Sequence, residues 1–348
     1  MTSYVYAGAA RYQGDGTGGL FRLAAGSETW ESIDAGLPSD AEVRCVIIHP
    51  DDPSVVYAGT QNGPYLSGDH GEHWEALPLP NSERVVWSFL FDPRDADTVY
   101  AGTAPAAIYR SNNGGKHWEA LPIIRTAGLI EGGFPTRVIR MTADPSNPDD
   151  LYAGLEVGGV IRSRDAGDTW EDCTADLLRL AEQEHLKSAI ISDSDTEGMM
   201  DSHALAVSSS LPGTVFLATR MGLFRSTDGA LTWEEMGIGR FSPLTYARDV
   251  RVSPHDPDTL FAALSRAAVS DAGSLFISRN VGESWERFDH GIEVTGTLMS
   301  VAQSAQDPAR LFCGGRGGQV LGTDDGGRTW NEFSMPEGVE DVYALACT

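Results

Sequence analysis

Seven segments of this chain end alike. Trp30, Trp74, Trp118, Trp170, Trp233, Trp285 and Trp330, seven of its eight tryptophans, each close a stretch patterned S-x-D-x-G-x-T-W. The clearest copy is Ser163-Arg164-Asp165-Ala166-Gly167-Asp168-Thr169-Trp170; close relatives run from Ser67 to Trp74 and from Thr323 to Trp330. Asn113 and Asn280 replace the Asp in two copies, Ala230 stands where Gly is expected, and the first copy keeps little beyond Thr29 and Trp30. A supersecondary unit repeated at near-regular spacing means stacked units, none of which buries its apolar face alone. The residue types predict a folded-over turn. The Asp or Asn oxygen accepts from backbone N–H groups of its own turn, Gly supplies a positive φ, and the Trp ring is buried between neighbouring sheets. Residues that recur in every unit are structural, since a site would not recur.

Each turn sits inside a larger unit. A strand ending at a proline turn, such as 43–50, leads to a strand reading Val56-Tyr57-Ala58-Gly59-Thr60, and Val99-Tyr100-Ala101-Gly102-Thr103 and Leu151-Tyr152-Ala153-Gly154 repeat the theme. The chain opens on such a second strand, Tyr4-Val5-Tyr6-Ala7-Gly8, and ends on a lone first strand, Val342-Tyr343-Ala344-Leu345-Ala346-Cys347. Pairing the two completes the seventh unit and removes free edges at the seam. The expected fold is all-β: one domain over 1–348, a seven-bladed β-propeller of four-stranded antiparallel blades, its ring closed by the C-terminal strand pairing with the N-terminal blade.

The turn pattern resembles the Asp-box (BNR) repeat, found in sialidase-like and xyloglucanase-like propellers, sortilin-type receptors and single-propeller photosystem II assembly factors. The resemblance spans the chain and implies a single-propeller member. It does not carry over the catalytic pattern. Sialidases have six blades, an Arg-Ile-Pro-type motif, an arginine triad and a Tyr–Glu pair. Here Phe21-Arg22-Leu23 overlaps the first copy of the turn, and no Tyr–Glu pair can be assigned. Two-domain xyloglucanases cleave polymer between two propellers, whereas one is expected here. The assembly factors match in size and blade count but use a basic surface.

Composition narrows the partners. A net charge of −25 repels nucleic-acid phosphates and anionic lipid heads, so neither nucleic acid nor a membrane is an expected partner. Only Lys116 and Lys187 are lysines, a bias that suits a salt-rich cytoplasm or an Arg-favouring genome. Cys45, Cys173, Cys313 and Cys347 are widely spaced with no CxxC, which points to neither a zinc site nor a redox pair. The N-terminus has no basic stretch followed by an apolar one, and no apolar run is long enough to span a bilayer, so a cytoplasmic setting is expected. Nothing in the sequence indicates a cofactor.

The irregularities carry the functional signal. Successive turn tryptophans lie 44, 44, 52, 63, 52 and 45 residues apart. The extra residues fall at 123–136, 174–202, 237–247 and 287–297, between the last strand of one blade and the first of the next. These loops share one rim with the loops between second and third strands, and long loops on one rim of a rigid scaffold are where sites occur. In the longest insert, Thr174 is expected to cap a short helix with Leu177, Leu178, Leu180 and Ala181 on its apolar side. The following run, Ser192-Asp193-Ser194-Asp195-Thr196-Glu197-Gly198-Met199-Met200-Asp201-Ser202-His203, acidic over 193–201, resembles an incomplete calcium loop without the EF-hand spacing. It reads as a solvated loop, with a cation site as the alternative, and no metal site is assigned.

Aligning first strands on their proline turns gives one position per blade near the channel mouth: Arg44, Trp87, Ile139, His203, Arg248, Met299 and Tyr343. Two residues on, the column is uniformly apolar and reads as core. Arg84, Arg137, Arg140, Asp249, Arg11, Arg220, Arg266, Arg316 and Glu156 fall in or beside the same rim. Arginine forks bind carboxylates, which points to a pocket for a small polar or anionic molecule. Arg44, Trp87, Arg137, Arg140 and Arg248 are the candidate ligand-binding residues. His203 with Asp201 or Asp249, together with Tyr343, are the catalytic candidates. The plain alternative is that the arginines pair with rim carboxylates and seal the channel. Two functions stay open: a hydrolase or lyase acting on a small sugar-derived or carboxylated substrate, and a non-catalytic binding or assembly propeller that presents the rim to a protein or peptide.

Overall fold

The computed structural model describes residues 3–12, 14, 16–81, 84–123, 135–187 and 198–348. Among them, seven four-stranded antiparallel sheets stand as blades in a ring, with their first strands innermost and packed against one another. At the seam Val342–Cys347 is the inner strand of the blade that contains Tyr4–Ala9. Val5 lies opposite Cys347 and Ala7 opposite Leu345. The Tyr4 N–H donates to Thr348 Oγ1 at 2.6 Å, and the Thr348 N–H donates back to the Tyr4 carbonyl at 2.9 Å. The ring therefore closes as the strand pattern predicts.

All seven inner strands share an irregularity. Val43 lies opposite Thr60 and Cys45 opposite Gly59, which leaves Arg44 as an extra, unpaired residue. The same register shift isolates Trp87, Ile139, His203, Arg248, Met299 and Tyr343. A β-bulge re-aims its extra side chain and increases the local twist. The column aligned from the proline turns is thus a ring of seven bulges. The residue opposite each bulge's far side is Gly in five blades and Ala in two. The reason is proximity: a Cβ on Gly59 would stand 2.3 Å from Cys45 Sγ and 2.8 Å from the Val86 carbonyl oxygen of the next blade. The Gly of the V-Y-A-G-T strand makes room for the neighbouring inner strand.

The outer turns form as their residue types require. Ser163 Oγ donates to Asp165 Oδ1 at 2.8 Å, the same oxygen accepts the Thr169 N–H at 2.8 Å, and the Gly167 N–H donates to Ser163 Oγ at 2.8 Å. The pattern recurs around Asp69, Asn113, Asp228, Asn280 and Asp325. Ala230 takes the glycine's place with φ +71°. The turn tryptophans are buried, and two of them tie blades together: Trp74 Nε1 donates to the Ile33 carbonyl at 3.0 Å and Trp30 Nε1 to the Phe333 carbonyl at 2.9 Å.

The long insert carries the helix Ala175–Ala181, which buries Leu177, Leu180 and Ala181 and leaves Leu178 exposed. Thr174 precedes it, but its side chain makes no capping bond. Its own dihedrals are helical (φ −89°, ψ −19°), whereas a capping side chain acts from an extended residue. Asp176 docks the helix instead, accepting the Trp233 N–H at 2.7 Å. Residues 192–197 of the acidic run lie outside the described residues. No group of three or more His, Cys, Asp or Glu that could hold a metal occurs among the described residues, and no helix there is long and apolar enough to cross a membrane. All four cysteines are buried and unpaired.

Deleting 342–348 should lower the melting temperature far more than removing an equal length of surface loop, because it removes the innermost strand of a blade and bares the edge of Tyr4–Ala9. A truncated protein that melts like the full chain would contradict the seam. The turns respond to acid. Burial alone would raise Asp69, but bonds from His73 and Ser67 outweigh it and hold the carboxyl at about 2 against an ordinary 3.8. A depressed carboxyl stabilises the fold above its unfolded pKa, and that stabilisation is lost as pH falls through the folded one. Stability should therefore drop between about pH 4 and about pH 2, and less steeply in Asp69→Asn, as read by thermal melts across that window.

Candidate functional site

The seven bulges converge on the ring axis. Their side chains line a narrow throat of about 50 Å³, which opens into a mouth of about 330 Å³. His203, Arg248 and Tyr343 belong to both compartments. Loops between second and third strands complete the mouth with Tyr12, Glu156, Arg220 and Arg316. One wall is aromatic: Trp87 and Tyr343 meet edge to face at 6.2 Å, and the Arg44 and Arg137 guanidiniums lie 4.7 and 4.4 Å from the centre of the Trp87 ring. Such cation–π contacts hold the guanidiniums over the ring.

Most of these arginines have carboxylate partners. Arg44 pairs with Glu42, Arg137 with Glu156 at 2.7 Å, Arg220 with Asp201 at 3.1 Å and Arg316 with Asp341 at 2.7 Å. Arg248 differs. Among the described residues it makes no hydrogen bond or ion pair, although it lines both mouth and throat. Burial works against its charge, but Tyr246, Glu156, Asp201 and Tyr343 outweigh burial and raise its pKa. The result is a cationic fork held in a cavity with no anion of its own.

His203 sits in the wall and is almost wholly buried. Its Nδ1 lies 2.7 Å from the Ala247 carbonyl, and its Nε2 lies 3.2 Å from Asp201 Oδ2 and 3.5 Å from the Tyr246 hydroxyl. A carbonyl only accepts, so Nδ1 is the donor there. Burial works against the Asp201 charge, but His203, Arg220 and Arg248 outweigh it and keep the carboxyl below its ordinary range. Asp201 Oδ1 is buried with no hydrogen-bond partner among the described residues.

Asp249 has a different place from the one its sequence position suggests. It is fully buried and lines neither compartment. It accepts the Val301 N–H of the next blade at 3.0 Å, Arg251 Nε at 3.0 Å and Arg140 Nη2 at 3.4 Å. It lies one residue past the bulge at Arg248, where the side chain turns toward the neighbouring inner strand. Asp249 therefore ties blades and holds two arginines from behind, and it is not in reach of a ligand.

Of the remaining candidates, Arg44, Trp87, Arg140, Arg248 and Tyr343 line the throat, and Arg137 lines the mouth. Three rim arginines stand apart: Arg266 is mostly exposed and pairs with Asp271, Arg84 donates to the Pro105 carbonyl, and Arg11 pairs with Glu42. Sequence reasoning missed Arg251, Tyr246 and Tyr12. Arg251 was discoverable as the one charged residue three positions past a bulge, had the bulges themselves been legible.

No family model matches the chain. The vacuolar protein sorting/targeting protein 10 of Blastomyces gilchristii is 31% identical over 85 residues, 23% of this chain and 6% of that protein. The GH74 xyloglucanase from Xanthomonas campestris superposes with a TM-score of 0.62 at 18% identity, covering 83% of this chain and 45% of that one. YCF48 bound to D1 peptide superposes with a TM-score of 0.54 at 17% identity, covering 85% of this chain and 83% of that one. The chain thus spans under half of the xyloglucanase and a small fraction of the sorting protein. At these identities the structural likeness is one of fold.

Asp249→Ala should lower stability by about 3–5 kcal/mol, the usual result of removing one partner from a buried charge pair. Chemical denaturation reads this directly. A variant of unchanged stability would return Asp249 to the groups free for ligand chemistry.

Proposed function

We propose that the channel mouth binds a small molecule through a carboxylate, with Arg248 as the anchoring cation. The carrying observation is the Arg248 guanidinium, charged and, among the described residues, without a hydrogen-bond or ion-pair partner in a cavity of about 330 Å³. A partly buried guanidinium that borders a cavity without a direct partner keeps its donors free for an anion that enters. A carboxylate matches the guanidinium fork in charge and shape. Tyr343 and Trp87 would pack against the apolar part of the ligand. The opening suits a small molecule, or the end of a peptide; YCF48, a propeller of similar fold, holds a D1 peptide in its solved complex.

A second reading adds catalysis at the same mouth. Its support is the Asp201–His203 pair in the mouth wall, with the second Asp201 oxygen lacking a partner among the described residues. On that reading the ligand is a substrate for hydrolysis or elimination, and propellers of similar fold include a xyloglucanase. His203→Gln then abolishes turnover while leaving carboxylate affinity in place.

Calorimetric titration with butyrate at low ionic strength tests the binding reading. Arg248→Ala should weaken binding by about 1.5–3 kcal/mol, the range for a hydrogen bond to a charged group, with little change in melting temperature. Equal affinities in the two proteins would remove Arg248 as the anchor.

A further inference from the structure

We infer that the ligand is a dicarboxylate, with its second carboxylate seated in the throat beneath the mouth; this rests on the mouth-binding reading above. Four arginines line the throat, Arg44, Arg140, Arg248 and Arg251, and among the described residues no carboxylate does. The countercharge behind that wall is short. Asp249 serves both Arg140 and Arg251, Glu42 serves Arg44, and Arg248 has none among the described residues. Two carboxylates thus make the direct ion pairs of three of these guanidiniums, and Arg248 has no direct pair among the described residues.

Two further observations place the deficit inside the throat. The Nε of Arg44 and the Nε of Arg140 are both buried without a hydrogen-bond partner among the described residues. Buried donors of this kind normally find an acceptor. Arg140 also carries the strain of crowding: burial, then repulsion from Arg251, pull it down to about 10, and Asp249 offsets only part of this. Like charges held together in a narrow, poorly screened space repel strongly, and a bound anion relieves them all at once.

Size and shape select the group. A throat of about 50 Å³ is several times the roughly 10–15 Å³ of free space that one water needs, which leaves room for a group the size of a carboxylate. Mouth and throat share Arg248, Tyr343 and His203 as walls, so one short molecule reaches both compartments. Its first carboxylate meets Arg248 at the mouth. Its second meets Arg140, Arg44 and Arg251 below. The sealing aromatic pair, Trp87 and Tyr343, lies against the methylene chain between them.

The test compares succinate, glutarate and adipate with butyrate by calorimetric titration of the full chain. The wild type should bind at least one of the dicarboxylates about ten- to a hundredfold more tightly than butyrate, the gain of one more charge-assisted contact. Arg140→Gln should abolish that advantage, lowering dicarboxylate affinity by a much larger factor than butyrate affinity. Arg140→Lys, which keeps the charge but not the fork, should restore part of it, and a single cooperative melt above the titration temperature checks that each variant is folded. Arg248→Ala should weaken butyrate and dicarboxylates together. If wild type binds butyrate as tightly as every dicarboxylate, or if Arg140→Gln weakens both classes equally, the throat subsite is wrong and the mouth reading stands. If no carboxylate binds at all, the mouth reading falls and the throat inference falls with it.

Discussion

Seven inner strands share one axis, and the close approach of each to its neighbour governs the rest of the molecule. Glycine at the second strand lets the next blade's inner strand approach to where a Cβ would collide with its carbonyl oxygen, as at Gly59 against Val86. Each inner strand meets that crowding with one unpaired residue. The bulge bends the strand, and it turns one side chain per blade toward the axis. The channel lining is thus a by-product of how the ring closes, and its chemistry depends on which residue each blade places at the bulge. Three blades place apolar or sulphur-bearing residues there, Trp87, Ile139 and Met299. The other four place Arg44, His203, Arg248 and Tyr343.

The charge distribution runs opposite to the bulk composition. A chain with a net charge of −25 lines its axis with arginine. Carboxylates behind the wall neutralise part of that charge, so the arginines keep their positions without filling the cavity. Asp249 shows the principle: a single buried carboxylate accepts from two arginines and from the backbone of the next blade. An acidic exterior around a cationic channel repels anions at long range, where screening by salt is strong, and attracts them only at the mouth.

Much of this was legible in the chain. The turn tryptophans and the V-Y-A-G-T strands led directly to seven blades, and the split blade at the termini to the closure. The proline-turn alignment picked out every bulge residue, although as a column of unlike side chains and not as bulges. A strand of period two sends neighbours such as Arg44 and Cys45 to opposite faces. The bulge breaks that alternation. Arg44 and Cys45 therefore both line the throat, whereas Asp249, at the same place past its bulge as Cys45, lies against the next inner strand and accepts the Val301 N–H.

The sequence by itself determined the architecture, because turn chemistry, glycine placement and burial of the repeated tryptophans are local properties carried by each unit. It also determined which residues could meet at the axis. Only the tertiary structure decided which arginines were already spoken for. Arg140 and Asp249 lie 109 residues apart, and Arg22 and Glu72 lie 50 apart, so these pairings exist only once the blades are docked. Arg248 is distinguished from its neighbours by what, among the described residues, fails to reach it, and that is a property of three-dimensional packing that no position in the chain encodes.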